Sequence, residues 1–110
     1  MILLFNLTPH TVRIVDNGGK TLYVFPPTYP PARVSAVHNE TGMLGDVPFA
    51  SLLFGEVENL PPAQPGVFYI VSAFVLQACP DRADLVRPDS GPDAQRDRAG
   101  RIVAVRRLTR

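Results

Sequence analysis

The sequence is poor in cysteine and has no long apolar run. Its single cysteine, Cys79, excludes an internal disulfide and a metal-binding cysteine cluster, and it fits a reducing compartment such as the cytoplasm. The apolar opening, residues 1–5, is shorter than a signal peptide or a membrane span requires, and it lacks a basic leading segment. We therefore expect a cytoplasmic chain that does not enter a membrane.

An excess of charge of one sign is lacking as well. The formal net charge is +1, and Lys20 is the only lysine beside ten arginines. Proteins that bind nucleic acid in bulk, or anionic membranes, normally have a strongly basic chain or long basic runs, so neither partner is expected. With 110 residues, of which 45% are hydrophobic, the chain has the size of one compact domain. We expect that domain to span residues 1–110 and to need no metal or other cofactor.

The positive charge is concentrated at one end of the chain. Residues 81–110 contain eight arginines and five aspartates, whereas residues 1–80 contain three cations and five acids. The two parts therefore have net charges of +3 and −2. Because arginine forms planar, bidentate hydrogen bonds with phosphate and carboxylate groups, the C-terminal part is predicted to bind a small anionic ligand.

Prolines and turn sequences divide the first two thirds of the chain into short β-strands. The predicted strands are residues 2–7, 11–15, 20–25, 32–38, 47–58 and 67–71. The Asp-Asn-Gly-Gly sequence at residues 16–19 is typical of a hairpin turn, and Gly55 indicates a bulge. Residues 39–45 are expected to form a loop.

The last third is predicted to contain a helix, a loop and a hairpin. Residues 73–78 are compatible with a short helix, which Ser72 would cap and Pro80 would end. Residues 81–94 are expected to form a polar loop, and residues 94–108 a closing hairpin. The whole chain is therefore predicted to be mainly β, as a small antiparallel barrel or a curled sheet with one short helix.

Candidate ligand-binding residues occur first around the bend at Pro9. Asn6, Thr8 and His10 place two small polar side chains and an imidazole there, and the imidazole titrates near neutral pH. They are predicted to contact the ligand. An alternative interpretation is that Asn6 and Thr8 hydrogen-bond the loop backbone while His10 is half exposed.

The second group of candidates lies among the alternating arginines and aspartates of the C-terminal third. These candidates are Arg82, Asp84, Arg87, Arg96, Asp97 and Arg101. Aspartates can orient arginine side chains toward a phosphate, and an aspartate can also bond to a ribose hydroxyl. The same pattern is equally typical of a solvated ion-pair network with no function.

The signal for catalysis is weak. Ser72, His10 and an aspartate such as Asp84 or Asp97 supply the residue types of a nucleophilic triad, but no G-x-S-x-G sequence surrounds Ser72. His38 is far from His10 in sequence and there is no cysteine pair, so no metal site is predicted. We assign no catalytic residue, and we expect a binding protein rather than an enzyme.

Several short sequences follow one another in a characteristic order. They are NLTPH, FGEVENLP, PGVFYIVS, PDRADLVRPDSGP and QRDRAGRIVAV, which together cover most of the chain. This order resembles a group of small proteins of phages, prophages and actinobacterial genomes. The resemblance implies no particular activity, but small phage proteins often act by binding. One class of them sequesters cyclic nucleotide or cyclic ADP-ribose signals of antiviral defence, as a sponge.

Three functions compete at this point. The first is an oligomeric binding protein for a phosphate-bearing nucleotide signal, acting in the host cytoplasm if a phage encodes it. The second is a phosphodiesterase or other hydrolase with His10 as its base, and the third is a structural or protein-interaction module with an apolar patch around Tyr29. The residue types favour the first, because arginine suits phosphate, Asp or Asn suits ribose hydroxyls, and an aromatic ring suits a base.

Overall fold

The computed structural model describes all 110 residues, of which 49% are in β-strands. The elements are β1 (Leu3–Asn6), β2 (Val12–Val15), β3 (Thr21–Phe25), β4 (Arg33–Leu44), β5 (Val47–Glu58), β6 (Val67–Ile70), α1 (Ala73–Ala78), β7 (Leu85–Pro88), β8 (Gln95–Arg96), β9 (Ile102–Ala104) and β10 (Leu108–Thr109). The prediction of a mainly β chain with one short helix is confirmed. The sheets are small and do not close into a barrel, which leaves the curled sheet of the two predicted architectures.

A four-stranded sheet in the order β1-β6-β7-β10 forms the centre of the molecule. Strands β1 and β7 both run parallel to β6, and only β10 is antiparallel to its neighbour. The expectation of antiparallel pairing is therefore wrong for the central strands. The physical reason is the connection through α1, because a helical crossover returns the chain to the same end of the sheet and makes the next strand parallel.

Strand β6 is central because both of its faces are covered. Side chains of a strand alternate between the two faces. Val67 and Tyr69 pack with Val75 of α1 on one face, whereas Ile70 packs with Ile14 of β2 on the other. Ile70 has no exposed surface, so this strand joins two separate apolar clusters into one core.

Helix α1 has the bounds that the sequence predicts. Its N-cap is Ser72, whose Oγ accepts a hydrogen bond from the Val75 N–H at 3.3 Å. The helix ends at Cys79, directly before Pro80, which has no N–H to continue the helical hydrogen bonding. No helix of the structure is long and apolar enough to cross a membrane.

The hairpin of β2 and β3 is also as predicted. The Asp16 carboxylate accepts hydrogen bonds from the N–H groups of Gly18 and Lys20, each at 2.9 Å. Gly19 has a φ of 85°, a conformation that favours glycine. The turn sequence thus fixes this hairpin locally.

Strands β4 and β5 form a long hairpin, which we call the arm. Residues 39–45 were expected to form a loop, but most of them extend β4, and Gly45 and Asp46 alone make the turn. Gly45 has the positive φ, 62°, that a two-residue hairpin turn requires at this position. The bulge predicted at Gly55 is confirmed by a register shift opposite Ser35. The arm makes the molecule elongated, with extents of 48 × 37 × 20 Å.

Strand β7 lies inside the segment that was predicted to be a polar loop. Its first residue, Leu85, has no exposed surface and packs in the same apolar cluster as Tyr69 and Val75. The sequence offers only the pair Leu85 and Val86 as an apolar signal, which is too short to predict a strand by alternation. The pairing with β6 therefore decides the structure here.

Leu85→Ala tests whether this segment is core or surface. Because it removes a buried side chain, we expect it to lower the free energy of unfolding by about 3 kcal/mol in urea denaturation. The matched control is Leu22→Ala, at a side chain that is half exposed, which should change stability by less than about 1 kcal/mol. Equal effects of the two substitutions would mean that residues 81–94 form the surface loop that the sequence predicts.

Candidate functional site

A cavity of about 500 Å³ opens at one end of the central sheet. It is lined by residues 8–13, which follow β1, by residues 71–73, which follow β6, and by the end of β7. Residues 102–105 complete the wall. Parallel strands bring their carboxyl ends to the same edge of a sheet, and ligands of such sheets commonly bind in the crevice outside that edge. The parallel pairing, which the sequence did not predict, thus creates the candidate site.

The lining of the cavity is positively charged. It contains Arg13, Arg87 and His10, and it contains no aspartate or glutamate. No carboxylate lies within 4.0 Å of either guanidinium, and Asp89, which follows β7, is instead paired with Arg107 at 2.8 Å. The nearest hydrogen-bond acceptor for Arg87 is the carbonyl of Pro88 at 3.4 Å, close to the limit for such a bond. Neither arginine is held in an ion pair, although the charge of Arg87, after the hydrogen bond from Arg107, also lowers the pKa of Asp89.

Polar and apolar groups share the rest of the wall. The hydroxyl-bearing residues are Thr8, Thr11, Ser72 and Ser90, and the apolar ones include Val71, Ile102, Val103 and Val105. Such a mixture of a mostly apolar surface with a few fixed polar groups is usual for small-molecule sites, as is a volume in the range of 300–1,000 Å³.

The loop that carries His10 is held by the buried amide of Asn6. The Asn6 Nδ2 group donates hydrogen bonds to the carbonyls of His10, at 2.7 Å, and Phe25, at 2.8 Å. Its Oδ1 accepts from the Thr8 N–H at 2.9 Å and lies 2.7 Å from the Thr8 hydroxyl. The amide thus joins the end of β1 to the His10 loop and to the end of β3.

Two of the three residues predicted around Pro9 line the cavity. Thr8 and His10 do, but Asn6 does not, because its side chain is 1% exposed and all of its hydrogen bonds are made within the protein. Asn6 instead fixes the position of the other two. The Thr8 hydroxyl also donates to the His10 carbonyl, at 2.9 Å. These contacts match the alternative interpretation, in which Asn6 and Thr8 hydrogen-bond the loop backbone, while His10 is exposed.

Arg82 and Asp84 form an ion pair outside the cavity. The guanidinium donates two hydrogen bonds of 2.8 Å to the two carboxylate oxygens and a third, also of 2.8 Å, to the carbonyl of Pro61. The hydrogen bonds from Arg82 favour the carboxylate form of Asp84, whereas partial burial disfavours it. The hydrogen bonds have the larger effect, so the pKa of Asp84 lies below its ordinary value. This pair fastens the loop at Pro61 to the start of β7.

Arg96, Asp97 and Arg101 belong to the exposed turn between β8 and β9. The Asp97 carboxylate accepts hydrogen bonds from the N–H groups of Ala99, at 2.9 Å, and Arg101, at 3.0 Å. Arg96 donates to the carbonyl of Gly100 at 2.8 Å. None of the three lines the cavity. Of the six charged candidates, Arg87 alone does.

Arg13 and Ser90 were missed by reasoning from sequence. Arg13 is exposed between Val12 and Ile14, which are buried, so the alternation of β2 shows only that it points away from the core. Ser90 lies in the loop that follows β7. Neither carries a local signal of function, because each reaches the cavity through the way the strands are placed in space.

The residue types of a catalytic triad do not come together. His10 and Ser72 both line the cavity, but Asp84 is bound to Arg82 and Asp97 is in the exposed turn. No carboxylate is therefore placed to orient the imidazole, and the Ser72 Oγ accepts the capping hydrogen bond of α1. No group of three or more His, Cys, Asp or Glu side chains lies close enough to hold a metal ion.

Comparison with known proteins gives no relative. No family model matches the chain, and no curated protein or solved structure is significantly similar to it. No relative found in these comparisons therefore supplies a function for this chain.

Asn6→Asp tests the role of the buried amide with almost no change in shape. It replaces the Nδ2 donor with a carboxylate oxygen that faces the carbonyls of His10 and Phe25. Both carbonyls then lose their hydrogen-bond donor and face another acceptor. We expect a loss of about 3 kcal/mol or more in the free energy of unfolding at neutral pH. Asn17→Asp, the same change in an exposed turn, should cost less than about 0.5 kcal/mol. A similar small effect at both positions would contradict the assigned role of Asn6.

Asp84→Asn tests the ion pair through its dependence on pH. Because the folded-state pKa of Asp84 is depressed, its contribution to stability is present above the unfolded-state pKa and is lost as the pH falls through the folded-state value. We expect urea denaturation to show the wild type more stable than the variant at pH 7. The difference should shrink as the pH falls below the ordinary value of 3.8. Asp81→Asn, at an exposed residue without an ion pair, is the control. A difference that stays constant down to pH 2 would exclude the mechanism.

Proposed function

We propose that this chain is a non-catalytic binding protein that captures a small phosphate-bearing ligand of the nucleotide type in the cavity. The observation that carries the proposal is the set of residues that line the cavity, which includes Arg13 and Arg87 and no aspartate or glutamate. Two arginines that no ion pair holds attract an anion to the cavity, and the guanidinium fork matches phosphate oxygens in geometry.

The remaining wall suits the other parts of a nucleotide. The hydroxyls of Thr11, Ser72 and Ser90 are able to exchange hydrogen bonds with ribose hydroxyls. The aliphatic side chains of Val71 and Val103 provide an apolar surface for a base. Tyr29, the aromatic residue expected to stack on a base, is exposed but does not line the cavity. A base would therefore pack on aliphatic side chains within one chain.

The biological role in this proposal is the sequestration of a signal of antiviral defence. The ligand would belong to the cyclic nucleotide or cyclic ADP-ribose class, and the protein would act as a homo-oligomer in the cytoplasm of the host. The support for this role is the order of short sequences that resembles small phage and prophage proteins, together with a cavity of suitable size and charge. A sponge must not turn its ligand over, and a histidine without a carboxylate to orient it fits that requirement.

Substitution of arginines inside and outside the cavity tests the ligand site. We expect Arg87→Ala and Arg13→Ala each to weaken nucleotide binding at least tenfold, because each removes a charged hydrogen bond to phosphate worth about 1.5–3 kcal/mol. Arg101→Ala, in the exposed turn, is the matched control and should bind like the wild type. The measurement is the thermal shift with a panel of cyclic and linear nucleotides, since a ligand at 100 times its dissociation constant adds about 2.7 kcal/mol.

Two outcomes would contradict the proposal. One is that no nucleotide of the panel raises the melting temperature of the wild type. The other is that Arg101→Ala loses as much nucleotide binding as Arg87→Ala. Native mass spectrometry followed by denaturation separates binding from hydrolysis, because a sponge releases its ligand intact. If products appear instead, and if His10→Ala abolishes them, the protein is a hydrolase with His10 as its base.

A second candidate function, an assembly or protein-interaction module, is favoured by the surface. Eighteen large apolar side chains are exposed, whereas only sixteen residues of any type are buried. For such a module the sequence predicts an apolar patch around Tyr29, which is 72% exposed. The largest group of exposed apolar side chains, however, lies on the arm. The two candidates are compatible, because the arm residues do not line the cavity.

A further inference from the structure

One face of the arm is apolar and exposed over most of its length. Its large side chains, which we call the arm strip, are Val37, Leu44, Val47, Phe49 and Leu53, and each is between 48% and 63% exposed. They belong to one face because Val37 pairs with Leu53, Leu44 pairs with Val47, and alternate residues of β5 point to the same side.

The bulge at Thr41 extends this face to the tip of the arm. The register shifts between Glu40 and Gly42, so Thr41 is an extra residue on β4. Without it, strict alternation from Val37 would turn Leu44 to the opposite face. Plain alternation from Val37 puts Glu40 on that opposite face. No charged residue therefore lies on the strip side between Val37 and Leu44 of β4 or between Val47 and Leu53 of β5.

The surface area of the chain is larger than that of a compact monomer of the same mass. A folded monomer of 12.0 kDa is expected to expose about 6,000 Å², whereas this chain exposes 7560 Å². The radius of gyration is 16.2 Å, against about 13 Å for a compact domain of this length. The excess area is about 1,500 Å² per chain, more than the roughly 800 Å² that each partner contributes to a standard stable interface.

We propose that the arm strip is a homodimer interface, in which the arms of two copies pack face to face in antiparallel directions. A two-fold axis passes between the sheets at the level of Asn39 and Ser51, which are cross-strand partners midway along the strip. Such an isologous contact requires a surface that complements itself. It also closes on two chains, so it leaves no apolar strip open for further growth.

The sizes of the side chains are complementary under this symmetry. The axis places each strand over its own copy, with Val47 above the Gly55 of the partner chain and Leu44 above its Ser35. Val37 then lies above Gly42 of the second copy. Large side chains thus meet small ones on both strands, as interdigitation of two sheets about 10 Å apart requires. Phe49 and Leu53 meet next to the polar centre and form the two main apolar contacts.

Adjacent leucines on opposite faces of β5 provide a matched test. We expect Leu53→Glu to weaken dimerisation at least about 100-fold, because it places a charge in an apolar interface. Leu52→Glu, the same change on the other face, should leave the dimer intact. Sedimentation equilibrium of the ligand-free protein measures both, and circular dichroism confirms that each variant is folded.

The oligomeric states of the wild type and the two variants decide the proposal. A dimeric wild type and Leu52→Glu beside a monomeric Leu53→Glu supports the proposal. A wild type that is monomeric at all concentrations overturns it, and so does a dimer that Leu52→Glu disrupts and Leu53→Glu does not.

Cross-linking tests the position of the axis. Asn39→Cys in a Cys79→Ser background places the only thiol of each chain opposite its copy, so a short bismaleimide should give a covalent dimer. His38→Cys in the same background, one residue away on the opposite face, should not. Equal cross-linking of the two variants would exclude the antiparallel face-to-face arrangement.

The interface specifies the oligomer of the proposed function, but it does not depend on a ligand. Arg87→Ala should remain dimeric even if it no longer binds nucleotide. A failure of nucleotide binding with an intact dimer would reject the proposed ligand and retain the interface. A monomeric protein that binds nucleotide would reject the interface and retain the proposed ligand.

Discussion

The buried amide of Asn6 is the interaction on which the site depends. It provides two donors and an acceptor at a point where three segments meet, the end of β1, the His10 loop and the end of β3. Inside a protein, polar groups that lose their partners are costly, so an amide in this place tolerates only one arrangement of its neighbours. The structure leaves no buried side-chain nitrogen or oxygen without a partner. The shape of the His10 loop, and through it one wall of the cavity, follows from this satisfied network.

The arginines of the chain divide according to whether a carboxylate reaches them. Arg82 is held by Asp84, and Arg107 is held by both Asp89 and Asp93. These pairs fasten loops to the central sheet, and they raise the pKa values of the two guanidinium groups. Arg13 and Arg87 have no such partner and share the wall of the cavity. The proposed ligand site thus rests on two arginines that no ion pair holds, rather than on the most arginine-rich segment.

The core is small for a chain of this length. Buried side chains are concentrated around β6 and α1, while β3, the arm and β9 leave apolar side chains in water. A domain of about 110 residues has little stability to spare, and exposed apolar strands favour unwanted association. Contact between copies of the arm would cover part of this surface and limit the association to two chains. The stability of the fold and its oligomeric state are then linked.

Reasoning from sequence correctly predicted the features that are decided within a few residues of the chain. The β2–β3 hairpin depends on local hydrogen bonds and on the positive φ of Gly19, and α1 depends on its Ser72 cap. The bulge at Gly55 uses a residue without a side chain, because a Cβ there would collide with Ser35. Of the residues predicted to bind a ligand, Thr8, His10 and Arg87 line the cavity. Reasoning from sequence did not find β7, the parallel pairing of the sheet or the contribution of Arg13. Those were decided by the tertiary structure, because strand order and the distance from a guanidinium to a carboxylate depend on contacts between residues far apart in sequence.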